Sequence, residues 1–70
     1  EQERGLTARE QEVLGLMGEG CNPKTIARHL GISVETVRGH LKAILAKLDA
    51  HTQLEAVMTA QREGLLARPE

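Results

Sequence analysis

The sequence predicts an all-α domain of four helices in a helix-turn-helix arrangement. Three observations lead there. The spacing T-x-x-E occurs twice ahead of an apolar run, at Thr7/Glu10 and Thr52/Glu55. In a capping box of that spacing the threonine and the glutamate each bond the other's backbone amide at a helix start. The apolar residues that follow recur three and four positions apart, which is helical periodicity. Glycines then stand where such runs stop, at Gly18, Gly20, Gly31 and Gly64, as helix C-termini favour. The expected helices are 8–18, 23–30, 34–48 and 53–63.

The first helix starts on the Thr7 cap, buries Val13, Leu14 and Met17 with Leu16 widening the stripe, and is closed by Gly18 and Gly20. The second has Asn22 as cap and Pro23 at the first helical position, where no amide is needed. Its Ile26, Ala27 and Leu30 point inward. Gly31 supplies a positive-φ turn, and Ile32 plugs it. Ser33 caps the third helix, with Glu35 near its positive end. Within that helix Val34, Val37, Leu41, Ile44, Leu45 and Leu48 fall inside an arc of about 100°. Opposite them lie Gly39, Ala43 and Ala46. Arg38 and Lys42 make one shoulder; Thr36, His40 and Lys47 make the other. Asp49-Ala50-His51 breaks the pattern. Leu54, Val57, Met58 and Leu65 mark the fourth helix, with Gln53, Ala56 and Ala60 on another side.

Seventy residues make one domain, read as a disordered lead at 1–5, a folded unit at 6–66 and a frayed tail at 67–70. Trp, Tyr and Phe are absent, so the core is aliphatic and bases have no aromatic ring to stack on. No apolar run is long enough to span a membrane. The start is not a signal peptide and carries no initiator Met, as in a piece cut from a longer chain. Cys21 is alone, so no internal disulfide forms, and a reducing cytoplasm fits. The net charge of −1 hides an uneven distribution. Residues 1–20 hold five acids and two bases, residues 21–51 five bases and two acids, and residues 52–70 three acids and two bases. Local charge of this kind acts on partners more than the total does.

Two helices joined through a glycine turn make a helix-turn-helix, whose second helix can enter the DNA major groove. Small residues on the outer ridge of the third helix would let its backbone sit deep. Arg38 suits two parallel hydrogen bonds to a guanine edge, and Lys42 similar but less directional contact. Lys24, Lys47, Ser33 and Thr36 suit phosphates, with the amides at the starts of the second and third helices.

The stretches "LTAREQEVLGLMGEG" and "IARHLGISVETVRGHLKAILAKLDA" resemble the LuxR/NarL-type (GerE-like) DNA-binding domain. Its pattern is L-T-x-R-E-x-E-V-L, then I-A-x-x-L-x-I-S-x-x-T-V-x-x-H, then I-x-x-K-L. The likeness runs over about residues 6–60. It implies the output domain of a bacterial transcription regulator, of response-regulator or ligand-sensing type, working in the cytoplasm at the nucleoid. It implies a homodimer on double-stranded DNA, on an inverted repeat, with the fourth helix (Gln53, Ala56, Ala60) at the dimer contact and RNA polymerase as a further partner. The family's base-reading positions fall on Arg38, Gly39 and Lys42, and its backbone-contacting positions around Ser33, Thr36, His40 and Lys47. Three residues depart from the family's usual pattern: Pro23 in place of Asn, Gly39 in place of a side chain, and Gln53 in place of Arg.

Other constellations lead nowhere comparable. His29, His40 and His51 are evenly spaced, but the helix breaks between them keep them off one face, so no metal site is expected. Ser33, His40 and Asp49 lack a nucleophile elbow or oxyanion arrangement, so neither enzyme nor cofactor is expected. Cys21 reads as a small hydrophobe at a helix start. A second function class remains: a helical protein-interaction module docking on the transcription machinery or a regulatory partner. The acidic first helix favours it.

Overall fold

The computed structural model describes residues 5–66. The expectations of a loose lead and a frayed tail fall, for residues 1–4 and 67–70, outside the described residues. Four helices follow in order: α1 (Ala8–Gly18), α2 (Pro23–Leu30), α3 (Val34–Lys47) and α4 (Gln53–Arg62). The last two end one residue earlier than the sequence predicts, with Leu48 and Glu63 as their caps.

Each helix begins on the side chain expected. Thr7 Oγ1 accepts from the Glu10 amide at 3.1 Å, and Glu10 Oε1 accepts from the Thr7 amide at 3.0 Å, which completes the capping box. Asn22 Oδ1 accepts from Thr25 N at 2.8 Å and Ser33 Oγ from Thr36 N at 3.0 Å. Thr52 Oγ1 accepts from Glu55 N at 3.0 Å. There the stronger bond lies one residue outside the box: Glu55 Oε1 accepts from the His51 amide at 2.6 Å, and the Thr52 amide is a lesser partner of the same carboxylate. His51 Nδ1 stands 3.4 Å from the same oxygen.

The four helices also end alike. An amide reaches back five residues in each case: Cys21 to the Leu16 carbonyl, Ile32 to Ala27, Ala50 to Leu45 and Leu65 to Ala60, at 2.8–3.1 Å. This bond needs a left-handed residue just before it. Gly20, not Gly18, fills that position after α1, because Gly18 is still helical. After α3 it is Asp49, at φ 56, a conformation that Asp tolerates better than most side chains do.

The core draws on every helix, with Val13, Leu14, Ile26, Val37, Ile44 and Leu48 nearly inaccessible. α3 packs against α1, α2 and α4. Leu30, Ile32, Val34 and Leu45 line its margin, half-buried. The face of α4 differs in part from that expected: Val57 and Leu65 pack on the core, but other positions do not follow. Ala56 and Ala60 are 0% exposed, whereas Leu54 is 70% and Met58 52% exposed. Small side chains let α4 lie close on the core, and the larger apolar residues are left outside. Ala56 and Ala60 therefore cannot touch a second subunit, and that part of the expected dimer contact is corrected.

Candidate nucleic-acid interface

α2, the Gly31 turn and α3 form the helix-turn-helix. Gly31 adopts φ 70, and Ile32 packs its side chain on the core beside it. This fixes α3 with Val37, Leu41 and Ile44 inward. The opposite arc is open: Glu35, Thr36, Arg38, Gly39, Lys42 and Ala46 are exposed, and Ala43 is half-buried. A methyl group built on Gly39 would meet nothing within 4 Å. The bare stretch of backbone at Gly39 thus faces outward, with Arg38 and Lys42 beside it.

Arg38, Lys42, Lys24 and Arg28 are exposed, and none is held in an ion pair or hydrogen bond among the described residues. Lys24 and Arg28 stand one turn apart on the outer side of α2, and Arg38 and Lys42 one turn apart on α3. Arg28 was not picked out on the sequence. Its signal was there, in the four-residue spacing from Lys24 on the side away from Ile26 and Ala27. Ser33 Oγ and Thr36 Oγ1 lie 2.9 Å apart at the exposed start of α3.

Two expected phosphate-binding residues are placed differently. Lys47 Nζ lies 2.6 Å from Glu10 Oε1 and donates to the Gly5 carbonyl at 3.0 Å. Its charge is engaged within the domain, by a partner that the reading of Lys47 as a phosphate contact did not include. Gly5, where the described residues begin, accepts the Lys47 bond through its carbonyl. His40 is half-buried on the same side of α3, and its charged form acts on Glu10. For Glu10, burial is the largest influence and pushes its pKa up. The Lys47 hydrogen bond, the Thr7 amide, the Lys47 charge and, least, His40 outweigh it, so the net direction is downward. A buried carboxylate is thereby kept ionised. Nothing in the sequence marked this pair, because its members are 37 residues apart.

The four-helix domain that carries this face matches known proteins. The family model of bacterial regulatory proteins, luxR family, matches residues 4–60. This chain belongs to the LuxR family. The solved transcription factor GerE superposes on this LuxR-family domain with a TM-score of 0.81 at 34% identity, covering 89% of this chain and 92% of that one. The Vibrio cholerae VqmA dimer, described among LuxR-type receptors, gives 0.83 at 40% identity over 86% of this chain and 27% of its own. The HTH-type transcriptional activator RamA of Corynebacterium glutamicum is 43% identical over 61 residues, 87% of this chain and 22% of RamA. The LuxR-family chain thus spans less than a third of RamA and of VqmA. It is a DNA-binding transcription-regulator domain and not an enzyme. No helix among its described residues is long and apolar enough to cross a membrane.

Proposed function

We propose that this domain is the output module of a longer bacterial regulator, of response-regulator or ligand-sensing type, and that it reads a specific duplex site through α3 in the major groove. The observation that carries this reading is the open outer arc of α3, bare at Gly39 and flanked by the unengaged cations Arg38 and Lys42. Arg38 and Lys42 address base edges, and Gly39 lets the helix approach them. Lys24 and Arg28 on α2, with Ser33 and Thr36 at the start of α3, hold phosphates. His40 reaches the backbone from the margin of the same face.

Two copies pair through the outer side of α4. Leu54 and Met58 lie one turn apart there and are the large apolar residues most exposed in the domain, with Gln53 exposed beside them. They take the place of Ala56 and Ala60 in the expected contact. A two-fold pair of recognition helices implies an inverted repeat with half-sites set by the dimer. The work is done on chromosomal DNA, in the cytoplasm. Selection of bound sequences from a random duplex pool tests this reading: it should return an inverted repeat. Recovery of unenriched sequences would reject specific reading, and recovery of a single half-site would reject the two-fold pairing.

A further inference from the structure

The side-chain hydrogen bonds that cap the helices each span three residues. Those of Lys47 span 37 and 42. From the last residue of α3, this side chain grips Glu10 in the first turn of α1 and the carbonyl of Gly5 ahead of it. Glu10 is 6% exposed, and its carboxylate also holds the Thr7 amide, so it is itself fixed to the α1 cap. The surrounding core is wholly aliphatic, and such packing is non-directional. A short, buried, charged hydrogen bond is directional. It ties the α3 C-terminus to the α1 cap at one defined point.

We propose that Glu10 and Lys47 are positioning residues for DNA recognition: the pair fixes the attitude of α3 so that Arg38, Gly39 and Lys42 meet their base edges together, without either residue touching DNA. The inference rests on the major-groove reading above. Its distinguishing feature is that a lysine near the DNA-facing helix contributes to affinity through an internal carboxylate rather than through a phosphate.

The test compares wild type, Glu10→Gln, Lys47→Met and the double variant on a site selected by the wild-type domain, with circular dichroism confirming that each is folded at the assay temperature. Affinity is followed across salt concentrations. Glu10→Gln keeps an acceptor for the Thr7 amide, and the double variant leaves no buried charge without a partner, so both keep the fold even where Lys47→Met alone does not. The proposal expects each folded variant to bind the site about tenfold more weakly, the double variant no worse than the singles, and the slope of log K against log salt unchanged. A phosphate role for Lys47 would instead lower that slope by about 0.9 with Lys47→Met while Glu10→Gln binds as well as wild type, and would overturn the proposal. A purely stabilising role would lower the melting temperature and leave the affinity of the folded double variant at the wild-type value, which overturns it equally. If the wild-type domain enriches no site at all, the major-groove reading itself falls and takes this inference with it.

Discussion

Arg38 and Lys47 show how differently two cations of one helix behave. Arg38 is exposed and free of ion pairs among the described residues, so Arg38→Ala should leave the melting temperature nearly unchanged. Comparison of the selected site with random duplex should show about 1–3 kcal/mol less discrimination. Equal discrimination before and after the change would remove Arg38 from base reading. Lys47, nine residues on, is bound to a buried carboxylate, and only tertiary structure reveals that. The sequence made Glu10 legible as a cap residue because its first partner is three residues away; its second partner, on another helix, leaves no local trace. The same carboxylate sets an acid limit on the fold. Because its folded pKa lies below the ordinary value of 4.5, its contribution is complete above that value and is lost as pH falls through the folded pKa. Urea midpoints should therefore drop on acidification below about pH 4.5 in wild type, and less steeply in Glu10→Gln. Parallel profiles for the two proteins would show that Glu10 carries no such linkage.

At the level of helices, starts and stops were the most legible features, since each depends on a few adjacent residues: Thr7, Asn22, Ser33 and Thr52 all cap as the sequence implies. The face that a helix buries was less legible. For α3 six apolar side chains agree on one direction, and the inward arc follows. For α4 the apolar residues Leu54, Val57 and Met58 compete with Ala56 and Ala60. Size decides: a close-lying helix buries alanines and leaves Leu54 and Met58 outside. If that outer stripe is the pairing surface, replacing both residues (Leu54→Asp with Met58→Asp) should change monomer stability by no more than about 0.5 kcal/mol, as for surface substitutions. On a duplex with two half-sites the same variant should bind as independent single copies where wild type binds as a pair. Paired binding by the variant in sedimentation would place the contact elsewhere.

For the molecule as a whole, a net charge of −1 argues against nucleic acid only if charge is treated as uniform. The fold instead gathers on α2 and α3 exposed cations that have no ion pair among the described residues, while on α1 Glu12 is paired with Arg9 at 3.3 Å and Glu10 is buried. The basic middle third was visible in the sequence. That Lys47 is withdrawn from it and Arg28 added depended on how the helices pack. If the open arc of α3 around Gly39 lies in the major groove, methylation at guanine N7 disturbs the contact directly. On the selected site, N7-methylation of particular guanines in each half-site should strongly weaken binding by the wild-type domain, and Arg38→Ala should lose its sensitivity to one of them. Binding that tolerates N7-methylation at every guanine of the site would place α3 outside the major groove.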